Sequence, residues 1–126
     1  DVKPQNILLS RFGEPALADF GIATILELEQ SMTAALTPVH AAPEILEGGE
    51  PSASSDVYAL ASSLYTLLSG APPFAGPPGE GVLAQLLRIT TSELPRLQRS
   101  DVPPELFDVL RAATTKDPAQ RTPDGG

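Results

Sequence analysis

The sequence predicts a mostly α-helical domain that carries one small β-hairpin. Apolar residues recur at steps of three and four along residues 57–68, and shorter apolar stretches that suggest helices follow at 82–89 and 104–115. Near the beginning, two short apolar runs flank residues 10–15, a turn segment that contains Gly and Pro, as is typical of a hairpin. A chain of 126 residues with 41% hydrophobic residues is long enough for one domain with a core.

Composition and charge disfavour several classes of function. The chain carries 16 acidic and 8 basic residues, a net charge of −8, which argues against nucleic acid or an anionic membrane as a partner. It has no cysteine, so disulfides, thiolate zinc sites and a Cys nucleophile are excluded. No apolar run reaches the roughly 18 residues of a membrane span. We therefore expect a cytoplasmic segment without membrane contact, while a longer parent protein could be anchored elsewhere.

The hairpin is expected to bring two polar side chains to one place. Its first strand would be Ile7-Leu8-Leu9 and its returning strand Ala16-Leu17-Ala18. Asn6 stands at the start of this hairpin and Asp19 just past its end, so the two side chains would face the same spot. An amide oxygen and a carboxylate suit a hard cation such as magnesium.

The segment from residue 21 to residue 42 has no clean period, although residues 22–29 could form a helical turn or two. A loop of this length in a compact domain is usually functional.

The longest predicted helix begins at Ser54 or Ser55, either of which can cap it, and Asp56 suits the positive start of a helix. Gly70 ends it. The helix carries few charges, so we expect most of its circumference to be buried in a larger core. Its predicted apolar face consists of Val57, Leu60, Ala61, Leu64, Leu67 and Leu68, and Tyr58 and Tyr65 widen it.

Several motifs together make the chain resemble the eukaryotic-like serine/threonine protein kinases, the Hanks-type kinases of bacteria. The resemblance covers essentially the whole chain. It implies the C-terminal lobe of the kinase fold, which is α+β when the whole kinase domain is counted. It also implies a partial kinase domain at residues 1–122 and a linker-like end at 123–126. The motifs are Asp1-Val2-Lys3-Pro4-Gln5-Asn6, Asp19-Phe20-Gly21, Thr37-Pro38, Ala42-Pro43-Glu44, Asp56-Val57-Tyr58-Ala59-Leu60 and Lys116-Asp117-Pro118 with Arg121.

The resemblance implies transfer of the γ-phosphate of ATP to Ser and Thr hydroxyls of proteins in signal transduction. Asp1 would orient the acceptor hydroxyl, and Lys3 would neutralise the transferring phosphoryl group. Asn6 and Asp19 would hold magnesium, or manganese in its place, at the phosphates. Thr37 would contact Asp1 and Lys3 and help to shape the site for the acceptor residue.

The same resemblance assigns roles in the activation segment between Asp19 and Glu44. Phe20 and Gly21 complete the D-F-G motif. Ser31 and Thr33 are candidate regulatory phosphorylation sites, because an added phosphate can order such a segment by pairing with Arg.

Four further residues have structural interpretations. By resemblance, Glu44 and Arg121 pair beneath the activation segment, and the carboxylate of Asp56 braces the backbone of the catalytic loop. His40, the single histidine of the chain, occupies an aromatic position of the family. We expect it to pack rather than to act as a base or a metal ligand.

The sequence contains no G-x-G-x-x-G loop, strand lysine or partner Glu, which in this family belong to the N-terminal lobe. We therefore expect a kinase fragment that needs the N-lobe of the same domain as its partner and is inactive alone. One alternative is a small-molecule, aminoglycoside-type phosphotransferase, against which Lys3, Thr37 and Ala42-Pro43-Glu44 argue. The other is a non-catalytic pseudokinase module, which the intact Asp1, Lys3, Asn6 and Asp19 disfavour.

Overall fold

A computed structural model describes residues 2–18 and 39–121. It confirms the predicted class, a mostly helical fold with a two-stranded antiparallel sheet. Within these residues, no helix is long and apolar enough to cross a membrane. The elements are a 3-10 turn (Pro4–Asn6), strands β1 (Ile7–Leu9) and β2 (Pro15–Leu17), and helices α1 (Pro43–Leu46), α2 (Ala53–Ser69), α3 (Val82–Thr91) and α4 (Pro104–Ala113).

The hairpin forms where the sequence predicts it, with Ile7 opposite Leu17 in antiparallel register. Its turn is organised by a side chain that the pattern of Gly and Pro did not indicate. The Ser10 hydroxyl oxygen accepts the backbone N–H groups of Phe12 and Glu14, each at 3.2 Å. Such side-chain bonds are the usual reason for serine in turns.

Helix α2 begins slightly earlier than predicted, because Ser52 rather than Ser54 or Ser55 is its cap. The Ser52 hydroxyl accepts the backbone N–H of Ser55 at 3.1 Å, and the Ser55 hydroxyl accepts the backbone N–H of Ser52 at 2.9 Å. This reciprocal pair satisfies two amides at the helix start. Gly70 ends the helix as predicted, with a positive φ of 85° that glycine tolerates best.

The predicted burial of α2 is wrong for most of its leucines. Leu60, Leu64 and Leu67 are 42%, 37% and 56% exposed in the described structure. A neighbouring face of the helix, which shares Ala61 with the predicted face and packs against α4 and the 3-10 turn, is buried instead. The spacing of apolar residues predicts a helix, but the elements that pack against the helix determine which face is buried. That core face consists of Tyr58, Ala61, Ser62 and Tyr65, and the surrounding core adds Ala42, Phe74, Ile89, Leu94, Leu110 and Ala113.

Replacing Ser52 with Ala should lower the free energy of unfolding by about 1 kcal/mol, because the N–H of Ser55 loses its acceptor. Urea denaturation measures the change. The Ser52→Asp variant keeps an acceptor oxygen at the cap and should retain most of the stability. Equal losses in the two variants would contradict the capping role.

Candidate active site

Lys3 and Asn6 lie at the two ends of one tight turn. The backbone carbonyl of Lys3 accepts the N–H of Asn6 at 2.9 Å, and Pro4 begins the 3-10 turn between them. Asn6 is buried, with 7% of its surface exposed, and Lys3 is half-buried. A backbone hydrogen bond therefore sets the separation of the residues that carry the ammonium and the amide.

Strand β2 returns the chain to Asn6. Ala18 donates its backbone N–H to the Asn6 carbonyl at 2.7 Å. Asp19 follows Ala18 directly in the sequence. Asp19 itself lies outside the described residues, so its predicted proximity to the Asn6 side chain stays a prediction.

The described structure includes five of the predicted site residues, and the roles proposed for the others stay predictions. Those that lie outside the described residues are Asp1, Asp19, Phe20, Gly21, Ser31, Thr33 and Thr37. The five that it includes are Lys3, Asn6, Glu44, Asp56 and Arg121.

The chemistry of Lys3 and Asn6 fits a magnesium–nucleotide complex. An ammonium suits phosphate oxygens, and an amide oxygen suits magnesium. Among residues 2–18 and 39–121, no group of three or more His, Asp or Glu side chains could hold a metal. A magnesium site at Asn6 would therefore need a carboxylate such as that of Asp19.

Arg121 is the most extensively bonded side chain of the described structure, and only 3% of its surface is exposed. Two of its N–H groups bind the Glu44 carboxylate, Nη1 at 2.7 Å from Oε1 and Nη2 at 3.1 Å from Oε2. The remaining three donate to backbone carbonyls, from Nε to Thr115, from Nη1 to Ser54 and from Nη2 to Lys116, at 2.9–3.1 Å. All five N–H donors of the guanidinium are thus used. The expected pairing of Glu44 with Arg121 is present in the structure.

The charge state of Glu44 follows from this contact. Burial by itself would raise the pKa of Glu44, but the hydrogen bond and the positive charge of Arg121 outweigh it, so that the pKa lies below its ordinary value.

Asp56, in the first turn of α2, is exposed in the described structure. Its predicted bracing of the catalytic loop stays a prediction.

Lys116 is a half-buried cation that the sequence interpretation did not single out. Its Nζ donates to the Ile89 carbonyl at 2.6 Å, near the end of α3, and lies 3.7 Å from the ring centre of Phe74 and 5.7 Å from that of Tyr58. Burial, aided by the charge of Arg121, lowers the pKa of Lys116 to about 8. The motif of Lys116, Asp117 and Pro118 was the available signal, but it does not reveal the aromatic neighbours.

His40 is buried, as the packing interpretation expects, with 9% of its surface exposed. Its Nδ1 lies 2.8 Å from the hydroxyl oxygen of Ser62, in the middle of α2. Burial lowers the pKa of His40 below its ordinary value, because desolvation disfavours the charged ring. No pattern in the sequence indicates Ser62 as its partner.

Comparison with known proteins identifies relatives over nearly the whole chain. The family described as the protein kinase domain matches residues 1–123. The chain is 42% identical over 123 residues to the serine/threonine-protein kinase PknK of Mycobacterium tuberculosis, 39% over 132 residues to PkaB of Streptomyces coelicolor, and 36% over 126 residues to PrkC of Bacillus subtilis. Each alignment covers 96% of this chain, but only 11%, 30% and 19% of these relatives' lengths. Protein kinases in general use ATP and magnesium.

Replacing Glu44 with Ala should lower the free energy of unfolding by roughly 3–5 kcal/mol, because the buried charge of Arg121 loses its counter-charge. It should also speed proteolysis of the segment that precedes α1. Thermal melting and limited proteolysis measure the two effects. Glu47→Ala removes an exposed glutamate three positions further on and serves as the control. Unchanged melting and proteolysis in Glu44→Ala would refute the role of the pair.

Deprotonation of Lys116 should raise the free energy of unfolding as the pH rises. Its pKa is about 8 in the folded protein and 10.5 ordinarily, so between these values the unfolded chain binds more protons. The free-energy cost of desolvating the Lys116 ammonium is present below about pH 8 and is relieved above it. Urea denaturation at about pH 7.5 and about pH 9.5 should therefore show the wild type gaining stability relative to Lys116→Met. A difference that does not change with pH would contradict this titration.

Proposed function

The chain belongs to the protein kinase family, and we propose that its parent protein transfers the γ-phosphate of ATP to Ser and Thr hydroxyls of other proteins. One observation carries the proposal. Lys3 and Asn6 occupy one hydrogen-bonded turn, and the hairpin that follows returns to Asn6 at the residue before Asp19. This arrangement supports a single site for the phosphate-binding ammonium and the metal-binding oxygens. The similar proteins PknK, PkaB and PrkC, all named serine/threonine-protein kinases, support the acceptor class.

The residues would divide the work of phosphoryl transfer, which requires mainly positioning and stabilisation of charge. The Asp1 carboxylate would accept the proton of the acceptor hydroxyl. The Lys3 ammonium would face the negative charge on the phosphoryl oxygens. The Asn6 amide oxygen and the Asp19 carboxylate would hold magnesium, or manganese in its place, which supplies further neutralisation of phosphate charge when bound.

The exposed apolar surface of the hairpin supports a partner that covers it. Leu8, Leu9 and Phe12 are 53%, 73% and 76% exposed, and Leu17 lies on the same hairpin at 41%. Exposed apolar side chains grouped in this way mark an interaction surface. We propose that the N-lobe of the same kinase domain supplies the partner, with the Gly-rich loop and the strand lysine that this chain does not contain. The 126-residue chain alone should then be inactive.

Labelled ATP and a basic test protein provide the direct assay for the full-length protein. The test protein is basic because this chain carries a net charge of −8. Label should appear on Ser and Thr of the test protein. Asp1→Asn should lower kcat by about 10²- to 10⁴-fold, the usual contribution of a positioned general base.

Asp108→Asn, a change at an exposed position of α4, is the matched control and should leave kcat unchanged. Transfer to an aminoglycoside but not to protein would refute the proposed acceptor class. Full activity of Asp1→Asn would refute the assigned role of Asp1. Transfer by the 126-residue chain alone would refute the need for an N-lobe.

A further inference from the structure

Helix α2 contains two adjacent serines at positions where a core helix normally presents apolar side chains. Ser62 and Ser63 both have 0% of their surface exposed. Burying a hydroxyl without a hydrogen bond is unfavourable, because the group loses its bonds to water. The two adjacent hydroxyls in α2 therefore each need a hydrogen-bond partner.

The partners lie on two segments that are distant in sequence. The Ser62 hydroxyl lies 2.8 Å from Nδ1 of His40, which is three residues after Thr37. The Ser63 hydroxyl donates to the backbone carbonyl of Val2, between Asp1 and Lys3, across a longer 3.5 Å. Consecutive Cα atoms are 3.8 Å apart. Two neighbouring positions of one helix thus contact both the catalytic-loop turn and the chain just after Thr37.

The segment that begins at His40 is held at both ends. At its start His40 is bonded to Ser62, and at its end Glu44 is bonded to Arg121. Between them, Ala42 is 1% exposed and Pro43 begins α1. A segment anchored in this way has little freedom to shift relative to α2.

We propose that Ser62 and His40 are positioning residues. They fix the chain just after Thr37 relative to the turn that carries Lys3. This inference rests on the proposed function, because its consequence is an effect on phosphoryl transfer. Neither residue needs to touch ATP or the acceptor. Their contribution is the alignment of groups on two segments, and a misplacement of about 1 Å can cost about 100-fold in rate.

Ser62→Ala in the full-length protein tests the proposal. We expect kcat for the basic test protein to fall by about tenfold or more, with the KM for ATP within about twofold of the wild type. His40→Phe, which keeps a ring but loses the nitrogen, should have a similar effect. The double variant should be no slower than either single variant, because both changes remove the same bond. His40→Asn, whose amide can replace Nδ1, should recover most of the rate.

Thr114→Val is the matched control. It removes another buried hydroxyl, which lies just after α4 and donates to the Leu110 carbonyl of that helix at 2.9 Å. It should lower stability while leaving kcat unchanged. A comparable fall of kcat in Thr114→Val would show that any loss of a buried hydroxyl slows the reaction and would overturn the proposal, as would normal kcat in Ser62→Ala.

Hydrogen exchange of the peptide that covers residues 39–46 separates this proposal from the proposed function. Exchange should be faster in Ser62→Ala and His40→Phe than in the wild type, and unchanged in Thr114→Val. Unchanged exchange in the first two variants would overturn the inference whether or not the enzyme is active. A wild type that transfers no phosphate would refute the proposed function and the effect on kcat, while the exchange result would still decide whether the bond holds the segment.

Discussion

The described fold depends on one buried cation, the guanidinium of Arg121. A charge inside a protein is tolerated only when it is paired and its donors are satisfied, and Arg121 meets this condition with five acceptors from separate parts of the chain. Glu44 belongs to α1, the Ser54 carbonyl to the start of α2, and the Thr115 and Lys116 carbonyls to the chain after α4. Moving any of these segments would leave a buried donor without a partner. The guanidinium therefore sets the relative positions of three elements.

Polar contacts fix other parts of the same region. Lys116 joins the end of α3 to Tyr58 of α2 and to Phe74 in the chain after α2. Ser62 and Ser63 join α2 to His40 and to Val2. Apolar contacts tolerate small shifts, whereas hydrogen bonds in a medium of low dielectric require particular partners at particular distances. The core supplies stability, and these contacts select one arrangement of the candidate site within it.

Local features of the fold were predictable, and features that depend on distant neighbours were not. The hairpin and the end of α2 at Gly70 follow from residues within a few positions of each other. The local sequence does not identify Ser52 as the N-cap of α2, because neighbouring serines could cap the helix equally well. The exposure of Leu64 was missed because periodicity identifies a helix but not what covers it. The contact between Glu44 and Arg121 was expected only through the family resemblance, since no local pattern connects positions 77 apart.

That separation has a consequence for the order of events during synthesis. Ribosomes add about 5–20 residues per second, so Arg121 is made roughly 4–15 seconds after Glu44. Until then, Glu44 lacks the counter-charge of Arg121, and the helix that carries it lacks this anchor. The contact between Glu44 and Arg121 therefore forms late, after the chain through α4 has been made. Chaperones that bind nascent chains would meet this segment while it is still unanchored.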